Sequence, residues 1–246
     1  MANACRCTKG IGPEIMTGKA LFTTDFVYYD RKDRNQYVWL KYQSILRGKT
    51  ILDVGADECH LKEWLEPDQT YWGIGLGENV DQQFDLETGP LPFPDRSFDV
   101  VLCLDVLEHL ENIHRVFDDL CRVSNQYVIV SLPNCLNFLW RILTRYGGET
   151  EYSLMRFYGL PVEPPPDRHR WFFDAYDAER FIRSRADKNH MNTIQVDFLH
   201  VPFNPTLKKR LLLKFASWVL LDKRIEQNRL HLGPIWGLLE RSNGST

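Results

Sequence analysis

Thr50-Ile51-Leu52-Asp53-Val54-Gly55 is a short apolar run that ends in an acid and a glycine. Such a run reads as a buried parallel strand entering a tight turn. Ser97-Phe98-Asp99-Val100-Val101-Leu102-Cys103-Leu104 has the same character. Tyr71 to Leu76 and Gln126 to Leu132 read as two more strands, the latter stopped by Pro133-Asn134. Helical spacing lies around and between them. Arg34 to Leu46 spaces Tyr37, Leu40, Tyr42 and Leu46 in a roughly helical pattern that Gly48 ends. A helix starts over His60 to Leu65, and Val106 to Val123 sets Val106, Leu110, Ile113, Phe117 and Leu120 on one face. Strands alternating with helices predict an α/β fold with a mostly parallel, doubly wound sheet and right-handed crossovers.

The rhythm breaks over residues 135–173, which are rich in aromatics and arginine and carry the stiff elbow Pro161-Val162-Glu163-Pro164-Pro165-Pro166. Beyond it, Ala178 to Ser184 reads as a short helix with Asp174 or Asp177 as its cap. Thr193 to Val201 reads as a strand, Thr206 to Gln227 as a long helix, and Ile235 to Arg241 as a final strand antiparallel to its neighbour. The whole predicts one domain over residues 1–246. It divides into an arm and cap helix (1–47), the strand-rich half (48–134), an insert (135–173) and a C-terminal half with the long helix (174–246).

Of the 246 residues, 43% are hydrophobic and 26% charged, enough apolar material for a core with an ordinary soluble surface. The net charge of −3 argues against wholesale electrostatic binding of nucleic acid. Met1 to Ala20 has no apolar segment of the secretory type, and no apolar run is long enough to span a bilayer. The cysteines are Cys5, Cys7, Cys59, Cys103, Cys121 and Cys135. Cys5 and Cys7 lie close together, but no second close pair completes a zinc site, so no metal is expected. A reduced, cytoplasmic protein is the simplest expectation.

Several segments together resemble the class I S-adenosylmethionine-dependent methyltransferases, in their small-molecule, type 11-like branch. Ile51-Leu52-Asp53-Val54-Gly55 is similar to the family's first motif. Phe98 to His109, with the lead-in Pro92-Phe93-Pro94-Asp95-Arg96-Ser97, resembles its strand-four segment, and Ser131-Leu132-Pro133-Asn134 the end of strand five. The match is strong over the middle third of the chain. It implies a seven-stranded Rossmann-like sheet with the last strand antiparallel, and S-adenosylmethionine as cofactor. Residues 48–134 would then be the cofactor-binding half and 135–173 a lid over the substrate.

The same resemblance assigns roles. Asp53 would organise the turn and the ammonium end of the cofactor, with Gly55 and Ala56 giving the backbone its close approach. Asp85 would accept from the adenine amino group and Leu86 would donate from its backbone. Leu104 and Asp105 would line the methionine side. Two departures stand out. The family's first motif carries three glycines in alternation, and here Asp57 and Cys59 replace the second and third. The acid that the family places at the end of strand two is Gly75, followed by Leu76, with Glu78 three residues on as the candidate replacement. A missing bidentate acceptor in a buried site costs about 1–3 kcal/mol.

On the substrate side, Asp167-Arg168-His169-Arg170-Trp171-Phe172-Phe173 gathers a carboxylate, a histidine, two guanidiniums and three aromatics. His169 is the first candidate for base or substrate contact, followed by His109 and Tyr158. Histidines of this kind also serve as packing residues, and His109 beside Glu108 suits a helix cap equally well. Leu207 to Leu221 mixes Lys208, Lys209, Arg210 and Lys214 with leucines, Phe215 and Trp218. It reads as a helix over the sheet edge, or as a peripheral membrane or protein contact that would suit a lipid-linked or cell-envelope acceptor. The expected function is methyl transfer to a small molecule; the alternative is a methyltransferase-fold binding or regulatory protein without turnover. A nicotinamide oxidoreductase is disfavoured because no Gly-x-Gly-x-x-Gly turn follows the first strand. A nucleic-acid methyltransferase is disfavoured because Leu104-Asp105-Val106-Leu107 stands where such enzymes carry an Asn/Asp-Pro-Pro-Tyr segment. The oligomeric state is not legible.

Overall fold

The computed structural model describes residues 20–137, 157–158, 163–164, 167–200, 211, 215 and 232–242. Seven strands form one sheet: β1 (Ile51–Val54), β2 (Tyr71–Gly75), β3 (Gln82–Gln83), β4 (Phe98–Leu104), β5 (Ser124–Leu132), β6 (Met191–His200) and β7 (Leu232–Arg241). Their order across the sheet is β3-β2-β1-β4-β5-β7-β6. The pairs from β3 to β5 are parallel, and β7 runs antiparallel to both neighbours. The order reverses between β1 and β4, where Val54 pairs with Cys103, so the carboxyl ends of these two strands frame a crevice.

Among the described residues, α1 (Arg31–Leu46), α2 (Ile113–Val123) and α3 (Ala175–Lys188) flank the sheet. Alternation along the strands divides the core. Leu52, Val54, Val101 and Cys103 face α2 and α3, whereas Ile51, Val100, Leu102 and Leu104 face α1. Phe117 and Leu120 fill the first layer; Tyr42 and Trp236 fill the second. Lys41 is buried within that second layer. Its ammonium donates to both oxygens of Asp197 at 2.7 Å and lies over the rings of Tyr37, Tyr42 and Trp236.

Most of the expected elements are present, with corrections at their ends. α1 starts three residues before the predicted Arg34 because Asp30 caps it, accepting from the Asp33 N–H at 2.8 Å. His60–Glu63 is a single 3-10 turn rather than the start of an α-helix. The helix predicted over Val106 to Val123 is broken: Leu107–His109 is a 3-10 turn, Leu110 is extended, and α2 begins only at Ile113. Of the two caps considered for α3, Asp174 serves, accepting from the N–H groups of Tyr176 and Asp177. That helix is twice as long as predicted. β6 begins two residues before the predicted Thr193, and β7 three before Ile235. The N-terminal arm up to residue 19, most of the 135–173 insert and most of the predicted 206–227 helix lie outside the described residues. Leu211 and Phe215 are helical and exposed. Among the described residues no helix is long and apolar enough to cross a membrane.

Candidate active site

The turn after β1 is held from below by β2. The N–H groups of Gly55 and Ala56 both donate to the carbonyl of Ile74, at 2.7 and 3.3 Å. Gly55 has φ +80°, and a Cβ there would fall 2.3 Å from Val106 Cγ2. The loop after β4 therefore presses on the turn closely enough to require glycine. Asp57 and Cys59 stand where the family has glycines, and both are left-handed, with φ of 52° and 53°. The backbone shape is kept although the residue type is not. Two glycines opposite make room for it: a Cβ on Gly73 would meet Cys59 Sγ at 2.5 Å, and one on Gly77 would meet the Asp57 carbonyl at 2.5 Å. The new charges are engaged, Asp57 with Arg31 of α1 and Glu58 with Asn79 Nδ2 at 2.5 Å.

Two further acids end the central strands. Asp53 is buried and accepts from the Tyr71 hydroxyl at 2.8 Å. Burial pushes its carboxyl up to about 6, against the pull of that hydrogen bond and of Arg34. Asp105 is left-handed at φ 52° and accepts from Arg34 Nη1 at 2.8 Å and from Ser131 Oγ at 2.7 Å. Burial opposes the charge on Arg34, and the Asp105 carboxylate outweighs it, so the guanidinium holds its proton more tightly than usual.

Of the other residues expected at the cofactor, Leu104 is buried at the end of β4. Gly75 ends β2 with its missing Cβ 3.3 Å from Gly55 Cα, and Leu76 and Glu78 follow it, exposed. Asp85 is exposed and accepts from the Glu87 N–H at 2.9 Å, while the carbonyl of the buried Leu86 accepts from Arg115 at 2.6 Å.

A second group assembles beyond β4. The Arg170 N–H donates to the Glu108 carbonyl at 2.8 Å, and Trp171 Nε1 donates to the Leu110 carbonyl at 2.7 Å. Arg170 also pairs with Glu111 at 2.9 Å. This zipper brings His169, His109 and Tyr158 together, with Glu108 beside the two imidazoles. Glu108 Oε1 lies 3.7 Å from His109 Nε2 and 3.9 Å from His169 Nε2. His169 Nδ1 is 2.6 Å from the Tyr158 hydroxyl, which is 2.8 Å from Cys135 Sγ. His109 Nδ1 is 2.6 Å from Asp167 Oδ1. Phe157 stacks on His169 at 4.3 Å, and the two imidazoles meet edge to face at 4.6 Å.

Burial sets the protonation of this group. Glu108 is 1% exposed, and desolvation raises its carboxyl well above the usual range. His169 is lowered to about 4, by burial first and then by His109. It is neutral at physiological pH and a weak base there, which suits a positioned hydrogen-bonding group better than a proton acceptor. Arg34, Glu108, Asp167 and Cys135 were not among the sequence-derived candidates. For Glu108 the signal was its place in the strand-four segment, and for Asp167 its place in the cluster with His169; for Arg34 and Cys135 there was none.

An α/β sheet reversing at β1 and β4, with a glycine turn and acids at those strand ends, defines the class I methyltransferase fold. The comparisons agree. Residues 64–129 match the family model described as a methyltransferase domain. No curated protein matches the chain. Among solved structures, a SAM-dependent methyltransferase from Archaeoglobus fulgidus is 14% identical, covering 86% of this chain and 95% of its own, with a TM-score of 0.51. The [4+2]-cyclase SpnF is 12% identical, over 92% of this chain and 87% of its own, at 0.52. The magnesium protoporphyrin IX methyltransferase of Synechocystis, with bound SAH, is 16% identical over 86% and 83%, at 0.49.

Proposed function

We propose that the chain is an S-adenosylmethionine-dependent methyltransferase acting on a small-molecule acceptor. The observation that carries this is the Gly55 turn, pressed against Val106 where the strand order reverses. The crevice fits the cofactor at two of its three parts. Gly55 and Ala56 would cradle the amino-acid end between Asp53 and Asp105, with Arg34 near its carboxylate, and Asp85 and Leu86 would meet the adenine. At the ribose Gly75 supplies no carboxylate, and Glu78 is the acid next along the chain.

When bound, the cofactor supplies a methyl group on a sulfonium that is already a good leaving group. The chain's task is alignment and exclusion of water. Tyr158, His109 and His169 would face the acceptor, with the neutral His169 orienting it by hydrogen bonding. Leu211 and Phe215, exposed four residues apart, favour an acceptor carried on a lipid or the cell envelope and presented at these two side chains. Isothermal titration with S-adenosylmethionine and its demethylated product tests the reading. Saturable binding at micromolar concentration is expected, and no heat from either ligand at high micromolar overturns it.

A second reading, a methyltransferase-fold binding protein without turnover, draws on Gly75, Asp57 and Cys59. The fold does not choose between the two, since one structure that shares it is named a cyclase. If wild type binds no cofactor and the triple variant Asp57→Gly, Cys59→Gly, Gly75→Asp does, this second reading holds.

A further inference from the structure

We propose that Glu108, His109 and His169 form a binding site for one divalent transition-metal ion. This goes beyond the methyltransferase reading and does not rest on it. Their ligand atoms all lie within 4.8 Å of one another, and Glu108 and His169 are buried. The Glu108 carboxylate reaches between the two Nε2 atoms at 3.7 and 3.9 Å, too far for hydrogen bonds. A tetrahedral ion with bonds of about 2.1 Å sets its ligands roughly 3.4 Å apart. The two carboxylate–imidazole gaps must then close by about half an ångström at most, and the gap between the two imidazole nitrogens, within 4.8 Å, by about 1.4 Å at most.

Three features point to an ion rather than to packing. First, Glu108 Oε2 is buried and has no hydrogen-bond partner among the described residues. A fully buried carboxylate with an orphaned oxygen is costly unless something positive compensates it. Second, its two neighbours turn their Nε2 atoms toward Glu108 and their Nδ1 atoms away from it. His169 Nδ1 meets the Tyr158 hydroxyl and His109 Nδ1 faces Asp167. An outer partner of this kind, as Tyr158 is for His169, keeps the proton on Nδ1 and leaves Nε2 to ligate. Third, the segment carrying His169 is zipped by backbone to the one carrying Glu108 and His109, so the three ligands are held by the fold itself.

The donor set selects the ion. Two imidazoles and one carboxylate suit Zn²⁺, Mn²⁺, Co²⁺ or Ni²⁺ and disfavour Ca²⁺ and Mg²⁺, which prefer all-oxygen sites. Three protein ligands leave positions open for water or for an acceptor oxygen. An ion there would polarise an acceptor hydroxyl. The expectation of no metal rested on cysteine spacing, and these ligands lie 60 residues apart.

The test needs no cofactor, so its outcome is separate from that of the titration above. The whole chain is stripped with chelator, dialysed against MnCl₂, CoCl₂ or ZnCl₂, and its metal content measured by mass spectrometry. About one ion per chain is expected for at least one metal, with visible d–d absorption in the cobalt form. His109→Gln and His169→Gln should each weaken binding tenfold or more, while His190→Gln, on the exposed turn after α3, should not. Circular dichroism checks the fold of each variant. Should His169→Gln unfold, the partly exposed His109→Gln carries the test. Wild type at background metal, or full occupancy retained in a folded His109→Gln, overturns the proposal.

Discussion

Replacing Gly55 by alanine tests the geometry on which the candidate site depends. Two costs add. The backbone sits at φ +80°, and forcing a Cβ into left-handed space costs about 1–2 kcal/mol. The same Cβ would lie 2.3 Å from Val106 Cγ2 and 3.1 Å from Cγ1. Overpacking of that kind costs about 1–3 kcal/mol. Gly55→Ala should therefore destabilise the protein by roughly 2–5 kcal/mol, read from urea midpoints at constant m. The two parts separate in a double-mutant cycle. Val106→Ala removes both clashing methyls but leaves the dihedral penalty. The pair Gly55→Ala, Val106→Ala should then be less destabilised than the sum of the singles by about 1–3 kcal/mol. A loss below about 0.5 kcal/mol for Gly55→Ala, or an additive cycle, would show that the loop after β4 does not press on this turn, and the crevice would need redrawing.

Further expectations concern the same turn and the layer behind it. Asp57→Gly relieves left-handed strain and loses only an exposed pair with Arg31, so it should be neutral or stabilising by up to about 1 kcal/mol. A loss above 1 kcal/mol in a melting experiment would count against that account. Lys41→Met leaves Asp197 without its cation and should cost about 2–4 kcal/mol, less than for a fully buried pair because Asp197 is a quarter exposed. Lys41→Met with Asp197→Leu should return to within about 1 kcal/mol of wild type, and a double variant as unstable as the single would refute this. Burial lifts the folded Asp53 carboxyl to about 6, above the ordinary aspartate value of 3.8. The folded chain thus binds the proton more tightly, and this group's contribution to stability is present at low pH and lost as pH rises from about 4 to 6. The loss is roughly 3 kcal/mol at most. Urea midpoints between pH 4 and 7 should show that fall in wild type and not in Asp53→Asn; equal slopes would remove Asp53 as its cause.

The parts of the fold legible in the sequence are those whose cause is local. β1 and β4 announce themselves as apolar runs because both their faces are buried. The antiparallel β7 was likewise expected. The Val106 to Val123 helix was misread because its apolar spacing is genuinely helical, and what breaks it is tertiary. Asp105 turns left-handed to meet Ser131 and Arg34, and the chain unwinds into a 3-10 turn before α2 begins. That break is what lets Glu108 and His109 turn toward His169. The first motif was legible in its glycine and deceptive in its departures. Asp57 and Cys59 read as losses, yet each keeps a left-handed backbone, and the glycines that accommodate them, Gly77 and Gly73, sit one strand away. His109, Tyr158 and His169 were named singly; their gathering depends on a backbone hydrogen bond between residues 108 and 170, which no local pattern records.

The position of β7 bears on how the chain is synthesised. It comes from residues 232–241 yet lies inside the sheet, between β5 and β6. Until that segment leaves the ribosome, the edges of β5 and β6 stay open. At β5 this exposes the unpaired backbone of an apolar strand that carries Val128, Ile129 and Val130. Such an edge invites pairing with another nascent chain. The sheet closes only once residues 232–241 have been made, so removing that segment would leave a protein that is prone to aggregate, however complete its crevice.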